Sequence, residues 1–219
     1  MGNQGKRLTF TKPFLLIVEG KDDKNFFEAF LNFLTNKQLN NSIRDRFEIF
    51  ELKGKQNLTD KLRAIKSTPG FGKLVAIGII LDSNSSPKST FQSIQTALKK
   101  VQLPCPKKEI ETEGEKPRVS VLLIPGIERQ GELEDLCLES VSNDRALRCL
   151  NRYFFCLRKN KIPIAPKESK AKCLAFLASR EDLANDIGTA AKKSIWPFEN
   201  NAFSRIKKFI LNLAEQHYD

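Results

Sequence analysis

The sequence predicts an α/β fold, a mainly parallel four-stranded sheet flanked by helices, with a C-terminal helical extension. Three observations carry this reading. Phe14-Leu-Leu-Ile-Val18 and Val75-Ala-Ile-Gly-Ile-Ile-Leu81 are unbroken apolar runs, each stopped by an acid, Glu19 and Asp82. Runs of this kind belong to strands buried on both faces, as in a parallel sheet covered by helices. Between and after them, strand-like and helix-like segments alternate up to Ile124, which implies βαβ units. Beyond Gly131 only helical periodicity remains.

The first strand runs from Phe14 to Glu19. Asp22 and Asp23 then open a helix whose Phe26, Phe27, Phe30, Leu31 and Leu34 share one face. Phe47-Glu-Ile-Phe-Glu-Leu52 alternates, so it reads as a strand with one solvated face at a sheet edge. Leu58 to Ile65 is a short helix, ended by Pro69-Gly70. The third strand is Leu74 to Leu81, and Ser86-Pro87 starts a helix that continues to about Val101, since proline suits the first helical turn. Residues 102–118 are polar and proline-punctuated, an exposed excursion or hairpin. Val119 to Ile124 is the fourth strand, stopped by Pro125-Gly126. Right-handed crossovers give the strand order 2-1-3-4. Leu133 to Val141, Asp144 to Leu157, Ser169 to Ala178 and Asn201 to Ala214 are helices, and 141–219 packs as an extension against a 12–140 sheet domain.

The 219 residues suffice for a full core, and 40% hydrophobic with 29% charged residues is ordinary for a globular chain. No apolar stretch approaches the roughly 20 residues that span a bilayer. The N-terminus lacks the apolar core of a secretory signal, and Lys6 argues against myristoylation of Gly2. A cytoplasmic protein without membrane association is expected. The five cysteines form no CxxC pair and read as small buried hydrophobes. The single histidine, His217, excludes Ser-His-Asp and Cys-His catalysis and multi-histidine zinc sites. A metal here needs oxygen ligands, which favours Mg²⁺ or Mn²⁺. The net charge of +11 is shared between both parts of the chain and points to a polyanion such as nucleic acid, or simply to a solvated surface.

An acid at the end of a buried strand stands where open α/β sheets place their ligands. Val18-Glu19-Gly20-Lys21-Asp22-Asp23 and Ile79-Ile80-Leu81-Asp82-Ser83-Asn84 together resemble the two strand-end motifs of the Toprim fold. This Rossmann-like, Mg²⁺-dependent domain is shared by topoisomerases, bacterial primases and the overcoming-lysogenization-defect family of nucleases. The Glu-Gly-Lys-x-Asp opening followed by Phe26-Phe27 looks most like the nuclease-type and stand-alone members. The resemblance implies that Glu19 and Asp82 are catalytic and bind metal, and that Asp23 joins them. The Asp-x-Asp pattern departs at Asn84, which supplies an amide oxygen without charge. Acids after the fourth strand, Glu132, Glu134 and Asp135, complete the implied set.

Each acid also has an ordinary structural reading. Asp22 and Asp23 suit a helix start, and Glu134 and Asp135 complement the dipole of a helix first turn. Glu19 and Asp82 are harder to explain so, because burying an unpaired acid is costly. Lys21, Lys24, Lys53 and Lys55 beside the acids, and Lys192, Lys193, Lys207 and Lys208 in the extension, are candidate phosphate contacts. A P-loop and a Gly-x-Gly-x-x-Gly dinucleotide fingerprint are both absent. A receiver domain leaves the helical tail unexplained. Two functional readings follow. One is a Mg²⁺-dependent nuclease acting on phosphodiester bonds. The other is a weakened module that binds nucleic acid or regulates a partner ATPase, which Asn84 favours. Topoisomerase action needs a tyrosine nucleophile within a gate, and Tyr153 and Tyr218 have no such setting.

Overall fold

The computed structural model describes residues 9–37, 43–54 and 56–215. Its sheet has five strands in the order β2-β1-β3-β5-β4, parallel except for the last pair. These are β1 (Phe14–Val18), β2 (Phe47–Glu51), β3 (Ala76–Asp82), β4 (Thr112–Glu113) and β5 (Arg118–Ile124). The four parallel strands stand in the expected order, with β2 at one edge. The fifth strand departs from the four-stranded expectation. The polar excursion before β5 doubles back, and its Thr112 and Glu113 pair antiparallel with Ser120 and Val119. Two polar residues carry no periodicity, so nothing local marks β4 as a strand.

Helices cover both faces of the sheet. Crossovers run through α1 (Lys21–Lys37), α2 (Ile43–Arg46), α3 (Leu58–Lys66) and α4 (Pro87–Lys100), and α5 (Leu133–Ser140), α6 (Arg145–Lys159), α7 (Glu168–Ala178), α8 (Ile187–Lys192) and α9 (Ser204–Glu215) follow. Alternation along each strand divides the core in two. Leu15, Ile17, Ile77, Ile79, Leu81 and Val121 pack against Leu62 and Ile65 of α3 and Phe91, Ile94 and Leu98 of α4. On the other face Leu16, Val18, Ile80 and Leu122 share one core with Phe26 and Phe30 of α1, Phe176 of α7 and Phe209 and Leu213 of α9. The helical extension is therefore the layer that closes this second face.

Close approaches fix that layer. A Cβ at Gly188 in α8 would lie 2.4 Å from Asn25 Cβ and 2.6 Å from the Asp22 carbonyl oxygen, so only glycine lets α8 rest on α1. The short α8 was not anticipated. Its six residues are too few to display a period, and its start is held by Asp186, which accepts from Thr189 N–H at 2.7 Å. Gly78 has the same role under α9, since a Cβ there would meet Leu213 Cδ1 at 2.6 Å and Leu16 and Phe209 at 3.0 Å. Gly78→Val is expected to cost about 1–3 kcal/mol by overpacking, lowering Tm by about 2–4 °C per kcal/mol. Thermal unfolding checks this, and an unchanged Tm would contradict the close packing of α9 on β3.

Cys137 and Cys173 are buried as expected, whereas Cys149 and Cys156 are exposed. Both exposed thiols lie on α6, whose buried residues are Leu147 and Phe154. Among the described residues no helix is long and apolar enough to cross a membrane.

Candidate functional site at the carboxyl edge of the sheet

Four elements bring acids together beyond the ends of β1 and β3. The chain turns from β1 toward β2 on one side, and β3 pairs with β1 on the other, which makes this gap the switch point of the sheet. Ile17 pairs with Ile79, so Glu19 is level with Leu81 and one residue from Asp82 on the adjacent strand. Asp23 sits in the first turn of α1, and its Oδ2 accepts from Gly20 N–H at 2.8 Å. Glu134 is in the first turn of α5 and is buried. The neighbouring Leu133 N–H donates to Asp82 Oδ1 at 3.1 Å, which docks the start of α5 directly on the end of β3.

Burial and mutual repulsion act on these acids together. Burial holds the Asp82 carboxyl well above the ordinary range, and Asp23, Glu134, Glu19 and Glu132 push it further. Burial also lifts Asp23 to about 7, against the opposing Gly20 N–H, with Glu134, Glu19 and Asp22 adding to the rise. Glu134 is raised by burial and by Glu132, and its own backbone hydrogen bond, Lys170 and Lys167 oppose the shift. Glu19 Oε2 is buried and has no hydrogen-bond partner among the described residues. An unpartnered carboxylate oxygen in that position is costly unless something else satisfies it. Among the described residues, no three carboxylate, thiol or imidazole side chains already converge to hold a metal ion.

Other expected residues serve different contacts. Asp135 accepts from Glu132 N–H at 2.8 Å through one oxygen and from the Ser169 hydroxyl through the other, tying the start of α5 to α7. Asn84 adopts a left-handed backbone with φ 52°, which asparagine tolerates, and its side-chain amide donates to the Asp82 carbonyl oxygen at 2.9 Å. Its backbone exchanges hydrogen bonds with Gly131, closing the loop before α5 onto the end of β3. Lys192 bonds Asn25 at 2.7 Å, and Lys193 bonds Asp182 at 2.6 Å, so both brace α8. Lys21, Lys53, Lys207 and Lys208 are exposed and Lys24 half-buried. Lys55, His217 and Tyr218 lie outside the described residues.

Two cations that act on the acids come from a segment that the sequence did not single out. Lys167 pairs with Glu132 at 2.6 Å, and that hydrogen bond, with Asp82 and Glu134 nearby, raises the Lys167 ammonium above its ordinary value. Lys170 opposes the upward shifts of both Asp22 and Glu134. The start of α7 thus overhangs the acid cluster, beside a cleft of about 450 Å³ lined by Asn84, Ser85, Gly131, Glu132, Asp135 and Lys167. Only the alternation of lysines around Glu168 hinted at this, and that pattern also suits any exposed helix.

A family model spanning residues 13–215 matches the chain, covering the sheet and the helical layer together. The chain belongs to DUF3226. The family's description is a protein of unknown function. No curated protein and no solved structure shows a significant match to this DUF3226 chain. In this DUF3226 protein the match includes Glu19, Asp23, Asp82 and Glu134, as well as the α7 lysines.

Proposed function

We propose that this protein hydrolyses phosphodiester bonds of nucleic acid with a divalent cation, Mg²⁺ or Mn²⁺, in the manner of the Toprim nucleases it resembles. The observation that carries the reading is the buried, unpartnered Glu19 Oε2, set among acids that disfavour one another's charge. An all-oxygen donor set of this kind fits a hard cation chemically, and a cation would relieve the mutual repulsion. Glu19, Asp23, Asp82 and Glu134 are the residues that would hold it. When bound, such an ion polarises the phosphoryl oxygen and lowers the pKa of a coordinated water.

The chain's own groups have further roles. Lys167 and Lys170, exposed at the start of α7, offset phosphate charge at the mouth of the site. Without a cation, burial and the neighbouring acids raise the Asp23 carboxyl to about 7, so a cation held there would displace its proton. Leu133 N–H holds Asp82 Oδ1 and so fixes which way that carboxyl faces.

Calorimetric titration with Mn²⁺ tests the reading. Wild type is expected to bind, and Glu19→Gln to bind at least about tenfold more weakly, the smallest loss seen when groups around a metal are altered. Equal affinity in the two proteins, or no binding in either, would remove the proposal. A second reading, a weakened module beside a partner ATPase, is favoured by Asn84, whose uncharged amide is turned to the Asp82 carbonyl. Mn²⁺ binding without cleavage of labelled DNA or RNA would support that reading instead.

A further inference from the structure

We propose that the outward face of α6 binds single-stranded nucleic acid, with Arg145, Arg148, Arg152 and Lys159 on phosphates and Tyr153 and Phe155 stacking on bases. At 3.6 residues per turn the four cations and Phe155 fall within about 80° of one another, and Tyr153 borders this stripe about 80° further round the helix. Leu147 and Phe154 are buried on the opposite side. Tyr153 is 54% exposed and Phe155 63% exposed, although a merely solvated helix face needs no aromatic ring. The helix contains no acidic residue. Its Arg158 pairs with Glu168, and Asp144 at its start pairs with Arg180. Among the described residues, Arg145, Arg148, Arg152 and Lys159 form no ion pair.

Charge and ring together select the occupant. Four unpaired cations along about 21 Å of helix, at 1.5 Å per residue, match a polyanion. Three of the four are arginines, whose planar groups grip phosphate and also stack on bases. Exposed rings beside them are satisfied by unstacked bases, which only a single strand offers freely. The face also leads to the acids. Arg158 at the end of α6 bonds Glu168, adjacent to Lys167, which bonds Glu132 beside the acid cluster. The proposal deepens the phosphodiesterase reading by naming the polymer, and it rests on that reading only for the direction in which the strand leads.

Fluorescence anisotropy with labelled oligothymidylate in chelating buffer tests the surface without any cation chemistry. Replacing Arg148 and Arg152 together by Gln is expected to weaken binding at least about tenfold and to flatten the log–log salt dependence by about 1.4, or about 0.7 per phosphate contact. Replacing Tyr153 and Phe155 together by Ala should cost at least about fivefold at every salt concentration, leaving that slope unchanged. Tyr153→Trp with Phe155→Trp keeps a stacking surface and should retain wild-type affinity, which separates lost stacking from lost structure. Unchanged affinity in either double variant overturns the proposal, as does equally tight binding of duplex with the same ring dependence. Binding to anionic vesicles in place of oligothymidylate overturns it in favour of a membrane surface. A change of oligomeric mass on removing the rings overturns it in favour of a protein interface. Oligothymidylate binding without Mn²⁺ binding would leave the α6 face standing while removing the phosphodiesterase reading. Mn²⁺ binding without oligothymidylate binding would do the reverse.

Discussion

Asp82→Asn is expected to lower any metal-dependent cleavage by more than about a hundredfold, the upper figure for groups that merely support metal ligands. The substitution keeps an acceptor for Leu133 N–H, so the start of α5 stays docked on β3. It removes the charge that burial and four neighbouring acids oppose. The chelated variant should therefore melt at the same temperature as wild type or above it, while its stabilisation by Mn²⁺ is lost. Nuclease assays and thermal melts on the same preparations measure both effects. Cleavage persisting at the wild-type level would place the chemistry elsewhere. A large drop in Tm without metal would mean that Asp82 is a structural residue.

Stability of the chelated protein should fall as pH rises, and divalent cation should cancel the fall. Burial lifts Asp23 to about 7 in the folded chain, against 3.8 for an ordinary aspartate. Because the folded value is the higher, the folded state keeps a proton that the unfolded state has released, throughout the window between them. Stability therefore declines as pH rises through that window, and the decline is complete above the folded pKa. The shift corresponds to something on the order of 4 kcal/mol, at about 1.4 kcal/mol per pKa unit. Tm of the chelated chain is expected to drop between about pH 4 and pH 8, and Mn²⁺ to raise Tm more at the upper end. Asp23→Asn keeps an acceptor for Gly20 N–H and should flatten the profile. A level profile in the chelated wild type would show that burial and its neighbours do not hold the Asp23 carboxyl up.

The acids differ in how visible they were. Glu19 and Asp82 stand out because strands buried on both faces leave unbroken apolar runs, and an acid ending such a run is conspicuous. Asp23 was legible as a residue near a helix start, but its ordinary role and its place in the cluster coincide. The same carboxyl holds Gly20 N–H and is pressed by Glu134 and Glu19. Asp135 and Glu134 are adjacent in sequence, yet one braces α7 and the other is buried beside Asp82. One step along a helix turns a side chain by about 100°, so the docking of α5, not the local sequence, separates their roles.

The sequence by itself determined the alternation of strands and helices, the order of the parallel strands, and two acids at the switch point. Those features arise from hydrophobic period, turn residues and the handedness of crossovers, all of which act within one or two elements. Only the tertiary structure decided that the helical part closes the second face of the sheet, that Lys167 and Lys170 overhang the acids, and that Lys192 and Lys193 brace α8. It also decided that β4 exists and that α6 turns its cations and two of its aromatic rings to solvent. Such proximities join residues tens of positions apart. They depend on which surfaces pack closely, at Gly78 under Leu213 and Gly188 over Asn25, and no local pattern encodes that choice.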